Sequence, residues 1–309
     1  MSETSSDEDP VRLTDADARS LPTWRAAYSD RTAWLMSVFS QLAYMPFVDD
    51  QPPPGGANAK QLTVAGFAGL DPYLKPGGFE VRETFNIGNV QTFLAVNPQE
   101  LAVLAFRGTA NWADWEINLN AGRIPMPGHE SVAIHRGFWN AFAVASDQIR
   151  QAVDTYVPAD LGLYITGHSL GGALAQIASV VLERDNLAAC YTFGSPRVAT
   201  AAFDSCVKCP HYRAVNQWDL VPGLPLPTLW WGYRHTGDAR LLIGARPQVA
   251  LRKDHNGIAR FCVDLWSALR YATTRDFGAV DDHMIWNYRA KLRSIEDARA
   301  KPSEARPQV

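Results

Sequence analysis

The sequence predicts an α/β fold with a mostly parallel central sheet and helices on both faces. Three observations carry that expectation. After Gly137, short apolar runs alternate with helical ones, and strand–helix–strand order implies parallel pairing through right-handed crossovers. A glycine-framed serine, Gly167-His168-Ser169-Leu170-Gly171, stands between an apolar strand and an amphipathic helix. The chain has 309 residues, 47% of them hydrophobic, enough to bury a large core without disulfide or metal staples.

The elements follow in chain order. Residues 1–22 read as a disordered acidic leader, because Glu3, Asp7, Glu8, Asp9, Asp15 and Asp17 face only Arg12 and Arg19. Trp34, Leu35, Val38, Leu42 and Met45 recur at helical spacing and predict a helix over 30–45. The prolines and glycines of DDQPPPGGANAK preclude regular structure. FEVRETFN, VQTFLAVN and ELAVLAFRG read as neighbouring antiparallel strands. A helix is expected from Phe138 to Tyr156, then the strand GLYIT. The next helix carries Ala173, Leu174, Ile177, Ala178 and Val181 on one face. AACYTF reads as a buried strand, 199–206 as a helix and HYRAV as a strand. Neither a repeat nor a composition break divides the chain. One domain is therefore expected over 23–294, with a flexible tail over 295–309.

Composition narrows the function. The net charge of −3 gives no support to a nucleic-acid partner. No apolar run reaches membrane-spanning length. The start, MSETSSDEDP, lacks the basic and apolar regions of a signal peptide. Four cysteines are too few for a disulfide scaffold. Together these favour a cytoplasmic location. Cys206-Val207-Lys208-Cys209 has no second half, so a zinc site is not expected there; no other metal set emerges, and no cofactor is expected.

The serine motif carries the chemistry. A serine on a tight strand-to-helix turn projects its hydroxyl above the sheet, and glycines at 167 and 171 clear the turn. The N–H of Leu170 then lies at a helix N-terminus, suited to a developing oxyanion. The alternative is a glycine-rich turn whose serine only caps the helix. GHSLGGALA, with FRGT upstream and TFGSPRV downstream, resembles the class 3 lipase family of the α/β-hydrolase fold over roughly residues 30–292.

That resemblance implies a serine ester hydrolase with its acid and base following the serine in the chain. His283, in DDHMIWNYRAKL, matches the family's D-H-x-x-x-x-Y pattern and opens a helical segment. His235 is its main rival, and His255 reads as exposed. Asp219, in NQWDLVPGLP, follows a strand where α/β folds carry catalytic acids. Asp281 and Asp282 suit a helix cap instead. In LAFRGTANW, Thr109 is the expected second oxyanion donor. His168 reads as a structural neighbour of the serine, and His135 as a residue that orients a helix.

Trp112, Trp115 and Leu119 share one helical face in the segment that forms a lid in the family, though a surface helix explains them as well. Trp230 and Trp231, beside the Asp219 loop, are candidates for the acyl groove. The expected reaction is hydrolysis of an acylglycerol ester, with a lipid or ester substrate as the partner. A phospholipase A1, a short-chain esterase and a non-catalytic lipid-binding module remain alternatives, because specificity lives outside the triad.

Overall fold

The computed structural model describes residues 9–45, 69–88, 90–109, 122–225, 232–243, 248–252 and 282–300. Among these, the main sheet has eight strands. They are β1 (Glu80–Ile87), β2 (Val90–Asn97), β3 (Leu101–Phe106), β6 (Leu163–His168), β7 (Leu187–Phe193), β9 (His211–Asn216), β11 (Asp238–Ile243) and β12 (Gln248–Arg252), in that spatial order. β3, β6, β7, β9 and β11 pair in parallel. β1 and β2 enter, and β12 leaves, antiparallel.

Among the parallel strands, β3 (LAVLAF) and β7 (LAACYTF) are apolar nearly end to end, as suits strands covered on both faces. Alternation then sorts their side chains between two cores. Tyr164 joins one core, and its neighbours Leu163 and Ile165 join the other.

The first core is closed by α2 (Asp30–Leu42) and by the last described helix, α7 (Ile285–Ala300). Ser29 caps α2, its hydroxyl accepting from the Thr32 N–H at 3.0 Å. On α7, Ile285, Tyr288, Leu292 and Ile295 recur every three or four residues and are buried together. The second core is closed by α4 (Arg136–Ala143), α5 (Ser146–Tyr156) and α6 (Leu170–Val181). The expected α/β fold with helices on both faces is present.

Several elements differ from expectation. The helix foreseen over 138–156 is two, α4 and α5. It breaks where Ala145 N–H turns back to the Phe142 carbonyl and the Ser146 hydroxyl takes the Ala143 carbonyl. Residues 199–206 divide into a two-residue strand, β8 (Ala199–Thr200), and a 3-10 helix, Ala201–Cys206. β8 belongs to a second, antiparallel sheet with β10 (Tyr233–Arg234), β5 (His129–His135) and β4 (Arg123–Met126). Two of those strands are too short to leave a periodic signal.

The leader differs as well over 9–22. A short helix, α1 (Asp15–Ala18), lies there, and Leu13, Ala18 and Leu21 are buried in the first core. Leu13 N–H donates to the Tyr73 carbonyl at 2.8 Å, beside α3 (Asp71–Leu74). Its acids stay outside, with Asp15 paired to Arg19. Three apolar side chains at the right positions outweigh the charge around them. The tail differs over 295–300, where α7 continues and Arg299 pairs with the buried Asp30. Among the described residues, no helix is long and apolar enough to cross a membrane.

Candidate active site

The β6–α6 junction forms the expected sharp turn. Ser169 sits at φ 56° and ψ −127°, a conformation L-residues rarely adopt. Surrounding backbone holds it there. The Ser169 N–H donates to the Phe193 carbonyl at 2.9 Å, and the Ser169 carbonyl accepts from Gly172 at 3.0 Å. A Cβ at Gly171 would strike the backbone of Phe106 and Arg107. The end of β3 therefore runs directly over the start of α6. Ser169 is 5% exposed.

Leu170 is the first residue of α6, where an N–H has no intrahelical acceptor and the helix dipole is positive. Thr109 follows β3 and is half-buried. The preceding Gly108 lies so close to the elbow that a Cβ there would sit 3.1 Å from the Ser169 Cβ and 2.6 Å from the His168 carbonyl. The structure thus brings Thr109, Ser169 and Leu170 to one place.

Asp219 and His283 meet although 64 residues separate them. His283 Nδ1 lies 2.9 and 3.0 Å from the two Asp219 carboxylate oxygens. Asp219 is fully buried and His283 is 5% exposed. The carboxylate also accepts from the Val221 N–H at 2.9 Å and from the Tyr288 hydroxyl. Burial, and then the Asp219 charge, raise the Tyr288 pKa well above the phenol range, so it stays a donor. Asn216 links the same parts. Its N–H donates to the Tyr288 oxygen at 3.0 Å, and its amide donates to the Asp282 carbonyl at 2.7 Å.

Gly194 completes the approach. It follows the Phe193 carbonyl that holds Ser169. A Cβ there would meet Asp219 Oδ2 at 2.6 Å and His283 Nδ1 at 3.0 Å. The acid–base pair therefore packs against the strand end that positions the serine. Arg197, 1% exposed, fixes the loop after Asp219 by donating to the Gly223 and Pro225 carbonyls.

The rival residues have other work. His235 lies 2.7 Å from the Pro222 carbonyl through Nε2. His135 caps α4, its Nδ1 accepting from the Phe138 N–H at 3.3 Å. The Asp282 carboxylate pairs with Lys291 at 3.1 Å. His255, Asp281, Trp112, Trp115, Leu119, Trp230 and Trp231 lie outside the described residues. Among the described residues no group of three or more His, Cys, Asp or Glu could hold a metal ion. Sequence reasoning missed the parts played by Gly194, Arg197 and Tyr288. All three stood inside the quoted patterns, but nothing in a pattern says what a side chain touches.

The chain is similar to known lipases in sequence and in fold. Residues 103–229 match the family described as lipase (class 3), which bears out the resemblance drawn from the motifs. A secreted mono- and diacylglycerol lipase 1 of Fusarium solani is 34% identical over 154 residues, covering 48% of this chain and 46% of the relative. A secreted mono- and diacylglycerol lipase A of Penicillium cyclopium is 30% identical over 155 residues, covering 46% and 48%. The chain thus spans about half the length of these relatives. A structure of Rhizomucor miehei lipase in complex with its propeptide superposes with TM-score 0.58 and 20% identity over 84% of this chain and 92% of that one, a likeness of fold. The cytoplasmic expectation is overturned, because the relatives whose names give a location are secreted. Composition and the first residues were too little to decide it.

Proposed function

From the match of residues 103–229 to the class 3 lipase family, we propose that the chain is a serine carboxylic-ester hydrolase acting on acylglycerols. The observation that carries the reading is the buried Asp219–His283 pair packed against the strained Ser169 turn.

In this reading Ser169 attacks the ester carbonyl while His283 Nε2 takes the serine proton. Asp219, through Nδ1, fixes the tautomer and stabilises the imidazolium. The oxyanion is bound by the N–H groups of Thr109 and Leu170. The tetrahedral intermediate collapses as His283 returns the proton to the leaving alcohol. Water then attacks the acyl-enzyme, giving its proton to His283, and the acid is released as Ser169 recovers its own. The names of the two secreted relatives favour mono- and diacylglycerols as the substrate class.

The test is turnover of p-nitrophenyl esters from acetyl to palmitoyl and of monoacylglycerol, with Ser169→Ala as control. Turnover that grows with chain length and is lost in the variant is expected. Activity confined to short esters would replace the lipase with an esterase, and activity surviving in the variant would remove Ser169 from the reaction.

A further inference from the structure

The geometry points to a positioning residue one place before the nucleophile: we propose that His168 holds the base, His283, through its main chain. The idea rests on the proposed roles of Ser169 and His283. His168 is 3% exposed. Its Nε2 lies 2.6 Å from the backbone carbonyl oxygen of His283, 115 residues away. A carbonyl only accepts, so Nε2 carries the proton. On a neutral ring Nδ1 is then an acceptor, and the Tyr44 hydroxyl, 2.8 Å away, donates to it. Both ring nitrogens are committed, which explains why this histidine, although adjacent to Ser169, is not its base.

Three distant segments are joined by these two bonds. Tyr44 follows α2, His168 ends β6, and His283 precedes α7. The imidazoles of His168 and His283 face each other at 4.5 Å with a 38° tilt. A second positive charge at that distance would oppose the imidazolium that His283 becomes in turnover. Burial, and then the His283 charge, hold the His168 pKa well below the usual histidine range, although the bond to the His283 carbonyl opposes this. The other groups around the pair are Arg107, whose guanidinium lies 5.9 Å from the Tyr44 ring centre, Tyr288, whose ring lies 6.0 Å from that of His168, and Asp219 beyond His283. A neutral His168 presents a π face and a fixed N–H donor, and adds no charge.

The test joins variants with a spectroscopic readout on the full chain. His168→Phe keeps a ring but loses both nitrogens. It should lower kcat about tenfold with KM within about twofold, since the lost bond aims the base and does not touch substrate. His168→Gln can again donate to the carbonyl and accept from Tyr44, and should recover most of the loss. Tyr44→Phe should show a smaller fall of the same kind. In the wild type, the acid limb of kcat/KM should follow a single proton. Nitrogen-15 NMR should show His168 neutral and protonated at Nε2 from pH 8 to 6. Full turnover in His168→Phe, no recovery in His168→Gln, or a His168 protonated at Nδ1 or charged at pH 6 would overturn the proposal. If the wild type turns over no ester, the proposed function fails on its own. The NMR tautomer then still decides whether the bond to His283 exists.

Discussion

Around Ser169 backbone meets backbone, whereas Asp219 and His283 are held by hydrogen bonds that each involve a side-chain atom. The serine turn is contiguous in the chain. Its conformation is enforced by the approach of β3 and by glycines whose Cβ atoms would strike main chain. The acid–base pair is assembled from the loop after β9 and the residues before α7. It is held by Val221, Tyr288, Asn216 and the His168 bond. Steric enforcement tolerates no change, because a displaced backbone has nowhere to go. A hydrogen-bonded assembly should fail in steps, one donor at a time.

The largest expected effect tests the assembled half at its centre. Asp219→Asn keeps the shape of the acid but removes the charge that selects the His283 tautomer. It should lower kcat by roughly 10⁴-fold with the fold intact, as read by steady-state kinetics and circular dichroism. A loss below tenfold would mean that Asp219 is a turn-forming residue and that the side-chain network serves the fold only.

Next comes the backbone-held half. In Gly171→Ala the new Cβ would meet the Phe106 and Arg107 carbonyl carbons, both at 2.8 Å. Stability should fall by about 3 kcal/mol in urea unfolding, and turnover should vanish with it. A variant with an unchanged midpoint would show that β3 can yield, and the contrast between the two halves would weaken.

A smaller step belongs to Tyr288→Phe. The substitution removes one donor from Asp219 and leaves the Asn216 N–H without its acceptor. A fall of about tenfold in kcat with KM unchanged is expected, one donor's share and no more. A fall as deep as that of Asp219→Asn would mean that the network acts all or none.

The same contrast explains what could be read from the sequence. Ser169, Leu170 and their glycines are neighbours in the chain, and strand–turn–helix order alone exposes them. Asp219 and His283 were legible as residue types in the right order, but not as a contact, because pairing across 64 residues leaves no periodic trace. Tyr44 gave no signal at all. It reads as one more aromatic at the end of a helix until the fold brings it to His168. The leader shows the converse. Its charge was obvious, and the three apolar residues that bury it were not.

Acid separates the scaffold from the site by a gentler route. His211 opens β9, the strand that ends at Asn216 shortly before Asp219, and burial followed by the Arg213 charge lowers its pKa from 6.5 to about 3. A histidine held neutral in the fold binds fewer protons there than in the unfolded chain, which titrates near 6.5. Its contribution is therefore complete above pH 6.5 and drains away as pH falls toward about 3. His168 is lowered for similar reasons and adds a loss of the same sign. Between pH 6.5 and 5, before most carboxylates titrate, each buried histidine should contribute a slope of up to about 1.4 kcal/mol per pH unit. Urea midpoints across that range measure the sum. His211→Asn should lose one histidine's share of the slope while keeping the acid limb of kcat/KM, since His211 bonds Thr192 on β7 and not the proposed triad. If instead the acid limb moves with the midpoint, the sheet and the acid–base pair open together, and the two halves of the site are less separate than their construction implies.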